Sequence, residues 1–546
     1  MTCVGNVYII LCIVVDQQRP AGHYALFCAA AVSLGGFVFG YDASIISGAI
    51  TLVSRDFSLN DWQTGFLVGS PTLGAVIAAI FAGAAADLIG RKKVLLGIAF
   101  LYLLSGVVAA LAPSYSWLLI ARFIGGLAFA SLMLAPVYIA EISPPESRGV
   151  LVSINQLNIV LGFSAAYFSN FVLLKLSASH LGWTAALGID SHAWRWMLGS
   201  EMLPAAIWFL LLFAIPESPR WLVMRGNSAS ARSVFKALYP RRSEGELAAL
   251  TEIVQATASR GERSLRQRLA QLWSPSLRYA LIVGTLVGIA QQITGVNAVY
   301  FYAPVIFEQT GVGTNAAFAQ AVWVGVINVV FTIIAMIAID RWGRKPLLVA
   351  GLTGVFLSMM ICSWGFNQAR YELKSADVAS LATIVDTGQL APLVDREFDS
   401  DVAFKRALRV SLGDLHAKSA EGALIQAAIR ISSTTVLIGV LGFVASFAVS
   451  LGPVMWVLFS EIFPNNIRGL AISFVGLINS AVSFVVQLVF PSELSTLGAS
   501  WTFLLYGLFA LASLAFVVWL LPETRGKSLE QLETEFKRRA VRAVSQ

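Results

Sequence analysis

The amino-acid sequence predicts an all-α membrane protein, twelve transmembrane helices arranged as two six-helix halves, and three observations lead there. The composition is too apolar for water: 57% of the 546 residues are hydrophobic and 13% charged, where a soluble domain carries about 25% charged residues. The apolar residues fall in runs of about 20, the length that crosses a hydrocarbon layer about 30 Å thick as helix. Loop motifs return six runs later, so the chain repeats itself. The composition excludes a soluble enzyme, a secreted disulfide scaffold and a disordered chain. The net charge of +7 does not signal nucleic acid, because the basic residues collect in alternate loops.

In chain order the runs lie at 25–50, 63–86, 94–114, 117–140, 150–173, 194–215, 279–304, 316–339, 346–366, 432–459, 469–491 and 500–521, spans 1 to 12 below. Arg91, Lys92 and Lys93 follow span 2, Arg148 follows span 4, and eleven Lys and Arg lie between 217 and 279. Arg341, Arg344 and Lys345 follow span 8, and Arg468 follows span 10. Short loops after odd spans hold almost none, so the positive-inside rule places both termini in the cytoplasm. Residues 367–431, after span 9, carry eight Lys/Arg and nine Asp/Glu; long segments translocate largely regardless of charge. The stretches DVAFKRALRV and KSAEGALIQAAIRI have helical apolar spacing, which predicts an external helical insertion. The run VYIILCIVV near the start is too short to span and lacks a basic flank, so it does not read as a signal peptide. The expected division is an N-terminal segment 1–24, a half at 25–215, a cytoplasmic helical linker 216–278, a half at 279–521 bearing the insertion, and a cytoplasmic tail 522–546.

The repeat is visible in three motif pairs. D-x-x-G-R-K runs from Asp87 to Lys92 and again from Asp340 to Lys345, while E-I-x-P-x-x-x-R-G runs from Glu141 to Gly149 and from Glu461 to Gly469. Pro216-Glu217 and Pro522-Glu523 form the third pair. The first offset is 253 (340 − 87) and the second 320 (461 − 141); the difference of 67 matches the insertion. Two parallel-repeat halves are an alternating-access architecture, with ligand between them near the midplane. The candidate cytoplasmic gate comprises Asp87, Arg91, Glu141, Arg148, Arg220, Asp340, Arg344, Glu461 and Arg468, with pairs such as Glu141 to Arg468 or Glu461 to Arg148 expected to latch the halves when the carrier faces outward.

Only three charges lie deep in the spans: Asp42, Arg122 and Glu201. Each costs about 2.5 to 3.5 kcal/mol on insertion scales, which makes an intramembrane ionisable residue a functional candidate. Counting 1.5 Å per residue, all three fall roughly 8 to 12 Å below the external surface. One guanidinium between two carboxylates leaves one negative charge for a proton to neutralise, so the trio is expected to couple protons. A static buried salt bridge is the alternative.

Span 7 holds Gln291, Gln292 and Asn297, with Gly295 and Pro304 to bend the helix. Carboxamides offer donors and acceptors without charge, as a neutral polyhydroxyl ligand requires. Gln156 in span 5 and Asn328 in span 8 add amides, and Trp456 offers a face for a sugar ring. No charged residue joins this group. Cys3, Cys12, Cys28 and Cys362 have no paired spacing, and the four histidines form no constellation, so no metal, cofactor or enzymatic role is expected.

From about Ala31 to Glu533, the insertion apart, the sequence resembles the sugar porter family of the major facilitator superfamily. The motifs are GGFVFGYDASIISGAI, DLIGRKK, PVYIAEISPPESRG, NQLNIVLG, WRWMLGSEMLPA, PESPRWLV, QQITGVNAVYFYAP, DRWGRKPLL, GPVMWVLFSEIFPNNIRG and PETRGKSLEQLE. The likeness is greatest to bacterial proton-coupled, xylose-type symporters, because Asp42 in GYD matches their coupling Asp where passive facilitators commonly carry Asn. The resemblance implies sugar contacts at Gln156, Gln291, Gln292, Asn297, Asn328, Trp456 and the span-11 amide Asn479, with Phe39 and Gly452 lining the cavity. Arg122 and Glu201 match the family's charge partners. Phe301 stands where many members have Tyr, and Ser480 where they have Trp. Proton-coupled symport of a monosaccharide or polyol by a monomer in the cytoplasmic membrane is the resulting expectation; a passive uniporter and a non-transporting sugar sensor are the alternatives.

Overall fold

The computed structural model describes residues 23–143, 148–240, 271–381, 385–413, 420–464 and 467–527, with Gly245, Glu252, Ala417 and Gln531. The apolar run before residue 20, most of the linker beyond residue 240 and the tail from 532 lie outside the described residues. Unbroken helices form span 1 (His23–Asp56), span 2 (Asp61–Ile89), span 3 (Arg91–Ala110), span 5 (Arg148–Ser177), span 8 (Thr314–Trp342), span 9 (Arg344–Asn367), span 11 (Arg468–Thr496) and span 12 (Ala499–Leu520). Eleven segments among the described residues are long and apolar enough to cross a membrane on their own.

Span 6 is the exception, and it departs from the continuous run read at 194–215. It divides into Ala193–Gly199 and Met202–Leu211, with Ser200 and Glu201 between. Local i to i+3 bonds tighten the chain there: the Ser200 amide reaches the Met197 carbonyl at 3.2 Å and the Leu203 amide reaches the Ser200 carbonyl at 3.2 Å. Breaks also occur in span 4 (Tyr115–Ala128, then Ser131–Ile142) and span 10 (Ser433–Val449, then Leu451–Ile462). Their second legs start 320 residues apart (451 − 131), the offset that relates Glu141 to Glu461. The repeat therefore extends from motif to helix geometry. Span 7 has three legs, Pro275–Ile293, Val296–Phe301 and Ala303–Glu308, with Gly295 at φ +88° in the first break. A β-carbon there would meet the Tyr506 ring at 3.0 Å, so the turn needs glycine on two counts.

Within the N-terminal half, spans 1 and 5 pack backbone to backbone. A β-carbon on Gly40 would lie 2.0 Å from the Ile159 carbonyl oxygen, and one on Gly162 would lie 2.1 Å from that of Phe37. Small residues of this kind let helices approach where no hydrophobic effect drives them together. The halves meet from mid-bundle to the end opposite the D-x-x-G-R-K motifs, here the far end. The Ser495 hydroxyl donates to Asp61 at 2.6 Å, Gln487 donates to the Thr72 hydroxyl at 3.1 Å, and the Tyr167 hydroxyl donates to the Tyr300 carbonyl at 2.5 Å. Among the described residues, no ion pair joins the halves at the basic end, where the motif charges lie.

The insertion after span 9 carries helices Ser375–Leu381, Asp401–Leu412 and Glu421–Ala428 around a core of Tyr371, Phe404, Leu408 and Leu424. It is not purely helical as read. Strands β1 (Arg370–Glu372), β2 (Glu397–Phe398) and β3 (Ile429–Arg430) form an antiparallel sheet in the order β2-β1-β3. Two or three residues give no period-two signal, which is why the sheet escapes a pattern-based reading.

Candidate functional site

Asp42, Arg122 and Glu201, scattered over 160 residues of sequence, meet inside the N-terminal half. Their exposures are 0%, 2% and 2%. Span 1 supplies Asp42 from an unbroken helix, the first leg of span 4 supplies Arg122, and the break in span 6 supplies Glu201. The Arg122 guanidinium grips the Asp42 carboxylate through Nη1, which also reaches the Asp42 carbonyl at 3.3 Å. Glu201 lies beside this pair, close enough for its carboxylate to interact electrostatically with both Asp42 and Arg122. Asp42 Oδ2, Glu201 Oε1 and Arg122 Nε are buried without a protein partner. Buried polar groups in native proteins are nearly all paired, so this cluster holds unused capacity for a proton. Gly125 permits the approach: a β-carbon there would lie 2.8 Å from Ser105 Oγ and 3.1 Å from Asp42 Oδ2.

A second cluster is built wholly of neutral amides and hydroxyls, mostly from the C-terminal half. Gln292 donates to Gln291 Oε1 at 3.1 Å and to Asn479 Oδ1 at 3.2 Å, and accepts from Asn297 Nδ2 at 2.8 Å. Asn479 in turn donates to Gln291 Oε1 at 2.9 Å and to the Gly288 carbonyl at 2.8 Å. Asn297 also donates to Ser483 at 2.6 Å, and the Tyr300 hydroxyl donates to Asn328 at 3.1 Å. Ser483 belongs to this network, and Tyr300 pairs separately with Asn328; neither is in the sequence-derived site set. For Ser483, the four-residue spacing from Asn479 along span 11 was the available signal.

The candidate aromatic residues make ring contacts of their own. Trp456 is 48% exposed and packs edge-on against Phe459 at 5.9 Å, leaving a face open. Phe301 stacks parallel to Phe163 of the other half at 6.5 Å, and Phe39 meets Phe129 edge-on at 4.6 Å. Gln156 and Gly452 are half-buried, and Gln156 makes no hydrogen bond among the described residues. The arrangement suits a small neutral ligand with several hydroxyls: many donors and acceptors, open aromatic surface and no net charge.

Residues 28–386 and 421–536 match the family model described as sugar (and other) transporter. The chain belongs to that family. It is 32% identical over 511 residues to the arabinose-proton symporter of Bacillus subtilis, covering 93% of this chain and 94% of the relative. It is 32% identical to a D-xylose transporter of Levilactobacillus brevis, covering 92% and 94%. Among solved structures, the inward-open conformation of the xylose transporter XylE from E. coli superimposes with a TM-score of 0.71 at 26% identity, over 94% of this chain and 100% of that one. The chain is a membrane transporter with the sugar porter fold, not an enzyme.

At the carrier's basic end each half has its own charge cluster. Arg91 makes a two-pronged contact with Glu141 (3.1 and 3.2 Å) and pairs with Asp87 at 2.9 Å. Arg344 pairs with Glu461 at 2.7 Å, and Thr524 donates to the same carboxylate at 2.6 Å. Glu141 and Glu461 are each engaged here by the Arg of their own half; the cross-half pairs, Glu141 to Arg468 and Glu461 to Arg148, belong to the expectation for an outward-facing carrier. Arg468 donates to the Phe463 carbonyl at 3.1 Å and has a buried Nη2 without a partner. Arg220 is exposed and forms no ion pair among the described residues. The side chains of Arg148 and Asp340 lie outside the described residues.

Two carboxylates missing from the sequence-derived set organise these clusters. Glu217 accepts from the backbone amides of Arg91 and Lys92 at 2.9 and 3.1 Å, and Glu523 accepts from those of Arg344 and Lys345 at 3.1 and 3.0 Å. Both sit at helix N-termini, where unpaired amides and the helix dipole favour an anion. The repeated Pro-Glu pairs were the signal. Gly90 and Gly343 make room, at φ +103° and +93°; a β-carbon on Gly90 would lie 2.3 Å from the Glu217 carboxylate. Gly90→Ala is expected to cost about 1 to 3 kcal/mol through backbone strain and to displace Glu217, lowering the melting temperature of the purified carrier. An unchanged melting temperature and transport rate contradict this.

Proposed function

We propose that the carrier is a proton-coupled monosaccharide symporter working by alternating access. The observation that carries this reading is the enclosed Asp42–Arg122–Glu201 cluster, one proton short of neutral, in a bundle that also holds a neutral carboxamide cluster. The basic end is taken as cytoplasmic, with both termini there, in a monomer spanning the cytoplasmic membrane. The far-end contacts then close the outer side, so this conformation faces inward.

Asp42 binds the proton, Arg122 holds the ionised form and Glu201 competes for the guanidinium when Asp42 is protonated. Gln156, Gln291, Gln292, Asn297, Asn328, Asn479 and Trp456 contact the sugar, with Phe39 and Gly452 lining the cavity. Asp87, Arg91, Glu141, Arg148, Arg220, Asp340, Arg344, Glu461 and Arg468 act at the inner gate, the Arg–Glu pairs staying within each half while the gate is open and exchanging partners as it shuts. The names of the relatives support arabinose, xylose or a similar sugar.

Uptake by proteoliposomes of labelled arabinose, xylose, glucose and inositol, with and without an imposed proton gradient, tests the reading. At least one sugar is expected to accumulate only with the gradient; equilibration alone for all of them contradicts symport. Tyr167→Phe removes a buried cross-half hydrogen bond, a net contribution of about 0.5 to 1.5 kcal/mol. It is expected to shift the carrier toward the outward form roughly threefold to tenfold, read as faster alkylation of an outer-vestibule cysteine. No change in alkylation contradicts a role for that bond.

A further inference from the structure

The insertion is bound to the outer end of the bundle through groups that a free appendage would keep in water. Lys405 is only 5% exposed, and its Nζ donates to Gln309 Oε1 at 3.1 Å, just beyond the last leg of span 7. One helical turn before it, Asp401 lies 3.8 Å from the same ammonium and accepts from the Ala499 amide at 3.2 Å, at the N-terminus of span 12. Gly498, at φ +83°, leaves that carboxylate its place: a β-carbon would lie 2.4 Å from Asp401 Oδ1. Nearby, a β-carbon on Gly311 would lie 2.2 Å from Ile429, and one on Gly313 would lie 3.0 Å from the Gln426 amide. The loop leaving span 7 is thus seated against the insertion at several points.

That loop is continuous with the segment that touches the other half. Glu308, the neighbour of Gln309, is buried, and Thr51 at the outer end of span 1 lies close to its carboxylate. Six residues earlier, Tyr302 donates to the Gln487 carbonyl at 3.2 Å, and Tyr300 receives the Tyr167 hydroxyl while its own hydroxyl reaches Asn328. Burying an ammonium is costly unless it is paired, and such pairs are retained where they fix one geometry among several.

We propose that the insertion is a clamp on the outer leg of span 7, with Lys405 and Asp401 as positioning residues for the transport cycle. By holding residues 308–313 against the start of span 12, it presents Glu308 and Tyr300 to the other half and favours closure of the outer side. The clamp rests on the alternating-access reading above.

The test uses the full chain in intact expressing cells, with the four native cysteines replaced by serine and Thr72→Cys introduced at the seam between the halves. An impermeant maleimide reports opening of the outer side. Lys405→Met and Gln309→Leu are each expected to raise the labelling rate several-fold, and the double variant no further than either alone, because one contact joins them. Arg409→Ala, on the exposed face of the same helix, is expected to leave it unchanged. Should Lys405→Met not reach the membrane, Gln309→Leu alone decides. Unchanged labelling in folded variants overturns the clamp. If labelling of the parent also fails to respond to arabinose, xylose or glucose while Lys405→Met raises it, the clamp stands and the sugar reading fails.

Discussion

Asp42→Asn is expected to abolish uphill accumulation while sparing sugar-for-sugar exchange. A proton entering down 100 mV supplies about 2.3 kcal/mol, and one pH unit adds about 1.4. Together they support an accumulation ratio of about 500, at 1.4 kcal/mol per factor of ten. The amide side chain has no proton to exchange in this range, so the ratio falls to about one. Folding is expected to survive, because Glu201 remains within the cluster to compensate Arg122. Arg122→Leu is harsher: it leaves two carboxyls in a site with exposures of 0% and 2%, and breaking a buried pair costs about 3 to 5 kcal/mol. Counterflow in proteoliposomes separates the two activities of Asp42→Asn. Retained accumulation removes Asp42 from the coupling mechanism.

Gln292→Leu is expected to weaken sugar binding about 10- to 100-fold, each lost neutral hydrogen bond being worth about 0.5 to 1.5 kcal/mol. Gln292 joins the network in three directions, to Gln291, Asn479 and Asn297. Losing it removes direct contacts with the ligand and frees three other amides to turn. Equilibrium binding of labelled sugar to the purified carrier measures the effect without the transport cycle. An affinity within twofold of the parent places the ligand elsewhere.

Much of the architecture is legible in the chain because lipid imposes it. Apolar run length and loop charge identify spans irrespective of packing, and residues that cannot tolerate hydrocarbon, such as Asp42 and Arg122, stand out by chemistry alone. Partner choice is not legible in the same way. That Glu141 faces Arg91 of its own half is a matter of packing, which sequence spacing does not carry. Helix breaks inside apolar runs are only weakly marked: Gly199 and Pro204 flank the break in span 6 and Gly452-Pro453 follow the one in span 10, but proline also lies inside unbroken helices, at Pro71 and Pro491. Glu217 and Glu523 escaped selection for another reason. They act on backbone amides, and a capping carboxylate looks like any loop charge until the helix it caps is in view.

The central claim is that a proton crosses with the sugar through the Asp42 cluster. Proteoliposomes carrying an internal pH-sensitive dye, with no initial gradient, should acidify when sugar is added outside, and the Asp42→Asn carrier should not. Sugar entry without acidification in the parent, or equal acidification in the variant, contradicts the account.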